Sequence, residues 1–105
     1  MKLIMAIAVL AFAIGGSLNA SAQSDAATIY KQKCASCHGA DGKGSAAGTK
    51  LGVKDFSDPA LVKQSDEEFA RVTKEGKGKM PKFEGKLTDD QITDLVKYIR
   101  TLQKK

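Results

Sequence analysis

Cys34-Ala35-Ser36-Cys37-His38 places two thiols and an imidazole within one turn of backbone, and the reading of this stretch decides the rest of the chain. Two cysteines separated by two residues and followed directly by histidine are the attachment pattern of a c-type haem. The chemistry explains the spacing. Each thiol adds to one vinyl group along one edge of the porphyrin, and the adjacent imidazole then reaches the iron from that side. On this reading Cys34 and Cys37 are thioether anchors and His38 is the proximal iron ligand. The sequence contains two cysteines and one histidine, so every Cys and His available is committed to this pentapeptide.

Other uses of the same residues fit less well. A redox dithiol expects a strand before the motif and a βαβ setting, and no β-branched run precedes Cys34. A structural zinc site normally takes four ligands, and a second Cys or His pair is missing. A disulfide between Cys34 and Cys37 closes too short a loop to stabilise much and leaves His38 unexplained.

Export is consistent with haem attachment, because c-type haem is added outside the cytoplasmic membrane, where the two thiols are held reduced. Met1 to Ala22 reads as a cleavable secretory signal: Lys2 is the positive start, Leu3 to Ile14 is almost continuously apolar, and Ala20-Ser21-Ala22 offers the small residues a signal peptidase reads. The alternative is a retained membrane anchor, but the apolar run is shorter than the ~20 residues that span a bilayer. Cleavage after Ala22 leaves residues 23–105 as one small exported domain, periplasmic in a Gram-negative cell, with no stable membrane insertion. So short a chain buries a marginal core unless something else fills it, and a covalently held haem supplies that apolar mass. The formal charge of +5 is too modest for nucleic-acid binding, and no basic helix interleaved with aromatics supports it. Its distribution is more telling, since Lys74, Lys77, Lys79, Lys82 and Lys86 cluster against only Glu75 and Glu84.

Along the chain, strand signals are essentially absent and helical ones recur. Ser24 or Asp25 is placed to cap a helix running toward Cys34, with Ile29 and Tyr30 near one face. Gly39, Gly42, Gly44 and Gly48 read as a loop. Leu51, Val53 and Phe56 are apolar without a period, as in a loop folded over a flat ligand. Asp58-Pro59 starts a short helix to Val62 or Lys63. Ser65 and Glu68 form a capping box for a helix to about Glu75, with Phe69 and Val72 inward and Gly76 ending it in a left-handed conformation. Pro81 holds Met80 out of the α region, so the Met80 thioether can face the iron from the other side as distal ligand. Its alternative is a gap-filling core methionine. Thr88 and Gln91 form a second capping box, followed by Ile92, Leu95, Val96, Ile99 and Leu102 at helical spacing.

Tyr30, the run from Cys34 through Gly39-Ala40-Asp41-Gly42-Lys43-Gly44, then Gly78-Lys79-Met80-Pro81 and a closing amphipathic helix, together resemble a small soluble bacterial class I cytochrome c. The resemblance implies an all-α, cytochrome c-like fold of about four short helices and loops around one haem, with the first and last helices packed across each other. It also implies that the haem edge near the methionine loop is exposed and passes electrons. Two features depart from the family. Many relatives carry a proline soon after the haem motif whose carbonyl orients the proximal histidine; here none occurs before Pro59, and a carbonyl near Thr49 to Leu51 is expected to serve. No tryptophan is present for a propionate contact.

The function expected is that of a monomeric, diffusible one-electron carrier rather than an enzyme, cycling between Fe(III) and Fe(II) with both axial positions filled. The clustered lysines are expected to dock on redox partners with acidic surfaces. A gas-binding haem protein, in which Met80 leaves the iron, is the main rival. A peroxidase-like enzyme would want a distal acid/base group such as a second histidine. A dedicated electron-accepting subunit of one enzyme is indistinguishable from a free shuttle at this level.

Overall fold

The structure, a computed structural model, describes residues 19–104. Its frame is set at the last helix, where the Thr88 hydroxyl accepts from the Gln91 N–H at 3.1 Å and the Gln91 side-chain oxygen accepts from the Thr88 N–H at 2.8 Å. From that capping box α6 runs Asp89–Leu102, with Ile92, Leu95, Val96, Ile99 and Leu102 on its buried face as their spacing predicts. The first helix, α1 (Asn19–Lys33), packs across α6. Tyr30 is fully buried there, its ring centroid 5.2 Å from that of Tyr98 and tilted at 51°. The crossing of first and last helices implied by the family resemblance is present.

Between these lie α2 (Ala35–His38), α3 (Ala46–Lys50), α4 (Pro59–Val62) and α5 (Asp66–Glu75), making six helical segments among the described residues. Strand character is limited there to isolated bridges between Lys77 and Met80 and between Glu84 and Leu87. Asp58 caps α4 by accepting from the Ala60 N–H at 2.9 Å, as expected, and α5 packs against α6. No helix of the described residues is long and apolar enough to cross a membrane.

Four local expectations need correction. Ser24 and Asp25 do not cap α1; the helix is already formed at Asn19, because alanine is the best helix former and no Gly or Pro interrupts 19–25. The expected signal otherwise lies outside the described residues. The glycine-rich stretch is not all loop, since Ser45 accepts from the Gly48 N–H at 2.9 Å and starts α3 on Ala46 and Ala47. At α5, Ser65 caps Glu68 as expected, but the reciprocal half of the box is missing. Arg71 holds the Glu68 carboxylate, its Nε donating to Oε2 at 2.9 Å. Gly76 has φ 79° but ψ 168°, an extended conformation at positive φ open essentially to glycine alone, instead of the left-handed helical one. A Cβ there would stand 2.8 Å from the Met80 carbonyl oxygen, so glycine also lets the following loop close on the end of α5.

Leu95, on the buried face of α6, is 1% exposed. Leu95→Ala is expected to cost about 2–5 kcal/mol of unfolding free energy, and Thr88→Ala about 1 kcal/mol. Denaturant titration of both variants against the parent checks the order.

Candidate functional site

The helix α1 delivers the motif directly: the Cys34 N–H donates to Tyr30 O at 2.9 Å, and His38 N–H closes a turn onto Cys34 O at 2.9 Å. The turn must then be left without orphaned carbonyls, and the next segment provides the partners. Gly44 N–H donates to His38 O at 2.7 Å and Ser45 N–H to Cys37 O at 3.0 Å; the Ser45 hydroxyl donates to Ser36 O at 2.6 Å. The Tyr30 hydroxyl donates to Gly39 O at 2.6 Å, and burial, with the Cys34 thiol beside it, pushes the Tyr30 phenol well above its ordinary range. Gly48 lies so close that a Cβ would stand 1.8 Å from the Cys37 carbonyl oxygen. Sequence reading took this residue for ordinary turn chemistry, and only the packing shows that nothing larger fits.

With its backbone satisfied, the motif turns its side chains to a cleft. Two cavities of about 300 and 390 Å³ share Cys34, His38, Gly52, Val72, Lys77 and Met80 in their walls, so they are two lobes of one space. Cys37, Leu51, Val53 and Phe83 line the first lobe, whereas Phe56, Leu61, Phe69, Leu95 and Ile99 line the second. The four residues expected to hold the cofactor, Cys34, Cys37, His38 and Met80, are thus brought together.

Cys34 and Cys37 are free thiols. Burial pushes Cys34 up to about 11, with Lys33 opposing, which is the reverse of the lowered thiol a redox dithiol catalyst needs. Burial also pushes the His38 imidazole below its ordinary value, favouring the neutral form that binds metals. His38 Nδ1 is sealed and has no hydrogen-bond partner. An apolar cleft with two free thiols and an imidazole in its wall fits a haem. Among the described residues no group of three or more His, Cys, Asp or Glu is placed to hold a bare metal ion.

Met80 is placed by a tight turn. Lys77 and Met80 exchange both backbone bonds, at 3.2 and 3.0 Å, around Gly78 and Lys79. Phe83 N–H to Thr73 O at 3.1 Å and Glu84 N–H to Lys74 O at 3.0 Å tie the segment back to α5. The expected carbonyl near Thr49 to Leu51 does not serve His38, whose Nδ1 has no partner, and Thr49 O instead accepts from the Gly52 N–H at 3.1 Å. The imidazole lies instead against the Phe56 ring, 4.6 Å between centroids at 16°. Phe56 carried no signal beyond being apolar in an aperiodic segment.

The lysines divide. Lys77 and Lys79 line the cleft, joined by Lys33 and Lys54, which sequence reading did not single out because they lie far from the cluster in the chain. Lys82 and Lys86 are exposed beyond it. Lys74 is drawn away to Asp89, Nζ to Oδ1 3.2 Å, in a separate hollow between α5 and α6.

Comparison with known proteins agrees with this geometry. Residues 21–99 match the family described as cytochrome c oxidase, cbb3-type, subunit III. Cytochrome c6 of Leptolyngbya boryana is 37% identical over 68% of this chain and 81% of its own length. Cytochrome c6 of Nostoc is 32% identical over 91% of this chain and 85% of its own. Among solved structures, the KustC0563 c-type cytochrome superposes with a TM-score of 0.70 at 34% identity, covering 74% of this chain and 96% of that one.

Gly48→Ala is expected to force the Cys37 carbonyl out of its bonds, because a Cβ has no space there. The yield of haem-loaded protein should fall by about tenfold or more, a drop of ~1.4 kcal/mol or above in the folded population. Absorbance of exported protein against total chain measures it.

Proposed function

The chain belongs to the c-type cytochromes, within the family described as cytochrome c oxidase, cbb3-type, subunit III, and from that premise we propose that it is a one-electron carrier with His38 and Met80 as axial ligands. Electron transfer and a covalently attached haem c are properties of the family. When bound, the haem supplies a one-electron Fe(III)/Fe(II) couple. The observation that carries the finer reading is the convergence of Cys34, Cys37, His38 and Met80 on one apolar cleft.

On this reading the residues act as follows. Cys34 and Cys37 would hold the porphyrin edge through thioethers, formed by addition of each thiol across a vinyl group. His38 would use Nε2, since Nδ1 is sealed from solvent. Met80 offers a soft, neutral sulfur that favours Fe(II). With His38 and Met80 both holding the iron, no substrate would reach it and transfer would be restricted to the outer sphere. Phe56, Phe69, Val72 and α6 keep water from the second lobe, which disfavours the charged ferric state in the same direction. Residues 1–22 are proposed to be a cleaved export signal, which places the domain outside the cytoplasmic membrane.

The cleft rim supports docking to an acidic partner. Lys33, Lys54, Lys77 and Lys79 line it and no carboxylate does. Lys82 and Lys86 extend the positive face, and Lys74 contributes least because Asp89 neutralises it. Such contacts speed encounter more than they tighten binding, which suits a carrier that must leave. A second reading is favoured by the family match and by the FixPc subunit of a cbb3-type oxidase in Rhizobium leguminosarum, 30% identical over 70% of this chain but 25% of that protein. On it the domain serves one oxidase rather than diffusing.

The visible spectrum of exported, haem-loaded protein tests the ligand set. A far-red charge-transfer band of methionine on ferric iron, and no response to carbon monoxide, are expected; ready carbon monoxide binding would instead establish an open, gas-binding site. Met80→Ala should abolish the band, admit carbon monoxide and lower the potential by a substantial part of the about 0.8 V over which axial ligands act. An unchanged potential would remove Met80 from the ligand set. Reduction of an acidic partner should slow by about tenfold or more as added salt shortens the screening length from about 30 to 8 Å. A flat profile would leave the lysines as a solvated face.

A further inference from the structure

We propose that Phe56 is the positioning residue for the His38 imidazole and that its ring takes the place of the hydrogen bond a ligating histidine makes through its second nitrogen. The inference rests on His38 being the iron ligand. A metal-bound imidazole almost always donates its free N–H to a carboxylate, carbonyl or water, which fixes the rotation of the ring and strengthens it as a donor. His38 Nδ1 makes no such bond, although it is sealed from solvent; it is the one sealed, unpartnered side-chain nitrogen or oxygen among the described residues. A buried orphan of this kind calls for a structural reason. The Phe56 ring supplies one, since it lies over the imidazole at 4.6 Å and within 16° of parallel. Two flat rings packed face to face resist rotation of either, because tilting drives an edge into a face.

Phe56 is itself held from several sides. Its N–H donates to Gly42 O at 2.9 Å, and its carbonyl accepts from Gln103 Nε2 at 2.9 Å. Its ring meets that of Phe69 edge-on at 6.2 Å. The Gln103 amide is anchored in turn, its Oε1 accepting from Arg100 Nη1 at 3.1 Å. The Arg100 guanidinium lies 4.7 Å over Phe69 and donates from Nε to Asp66 Oδ1 at 2.9 Å. A line of contacts therefore runs from the last turn of α6 to the imidazole, all of it made by the chain alone. The ring is oriented by contacts within the chain, which is preorganisation by packing in place of a polar bond.

The substitution of ring for hydrogen bond has an electronic consequence. An imidazole whose N–H is unpaired is the weaker donor, and a weaker donor stabilises ferric iron less. Phe56 therefore acts on the potential in the same sense as a thioether ligand, by excluding the water that would otherwise accept from Nδ1.

The test compares Phe56→Leu, Phe56→Tyr and Leu87→Ala in the exported, haem-loaded protein. Leu87 is buried in the same core but lines neither lobe of the cleft, so Leu87→Ala removes apolar volume and leaves the Phe56–His38 pair and its supports in place. The readouts are solvent exchange of the His38 Nδ1 proton by NMR of the reduced form, the EPR signature of the oxidised form, and the reduction potential. Phe56→Leu is expected to speed Nδ1 exchange at least tenfold, shift the EPR signature and lower the potential. Phe56→Tyr should restore all three, and Leu87→Ala should reduce stability with Nδ1 exchange within twofold of the parent. Equal exchange in Phe56→Leu and the parent overturns the proposal. So does an equal effect in Leu87→Ala, or a parent Nδ1 proton shifted downfield by a strong bond to a carbonyl. If the parent spectra show no histidine on the iron, the ligand assignment itself falls, and that failure is visible before any variant is made.

Discussion

The carbonyl oxygen of Cys37 is the point on which the rest of the site depends. A motif that must aim two thiols and an imidazole outward from one turn leaves its own carbonyls facing the protein, and each unpaired buried carbonyl would be costly. The chain answers by folding 44–48 back onto the turn, with the Ser45 N–H at 3.0 Å from that oxygen and its hydroxyl at 3.3 Å. The approach is so close that only glycine fits at position 48. Ser45 does double duty, since the same hydroxyl caps α3. The outward set of functional side chains is thus paid for by an inward set of backbone bonds.

The second constraint is size. The crossing of α1 and α6 and the packing of α5 against α6 bury aromatic and aliphatic side chains, and Phe56, Phe69, Leu95 and Ile99 turn part of that apolar surface to the cleft. A domain of this length buries a marginal core by itself. Filling the cleft with a large, flat, apolar group completes the core, so the cofactor is part of the fold as well as of the chemistry. Met80 illustrates the coupling. Its turn is anchored by bonds from Phe83 and Glu84 to the end of α5, so the helix that helps wall the cleft also positions the residue proposed to close it.

Charge follows the same geometry. Lysines far apart in sequence, Lys33, Lys54, Lys77 and Lys79, meet at the rim of the cleft, whereas Lys74, a neighbour of the last two in the chain, is turned to Asp89 across the α5–α6 hollow. Helical position decides this. Lys74 lies in the last turn of α5 on the side facing the start of α6, where a carboxylate at the helix N-terminus is already favoured.

The sequence by itself determined what depends on local spacing: the haem motif, the caps at Asp58, Ser65 and Thr88, the buried stripe of α6, and a methionine held before proline. These are legible because their physics lies within a few residues of chain. Tertiary structure decided what depends on approach between distant segments. The space at Gly48, the pairing of Glu68 with Arg71 in place of its cap, the division of the lysines and the stack of Phe56 on His38 all arise there. Phe56 lies eighteen residues beyond His38 in an aperiodic stretch, fixed by Gly42 on one side and by Gln103 on the other. No local rule predicts that meeting, because it is the folding of the last helix onto the first that brings its supports together.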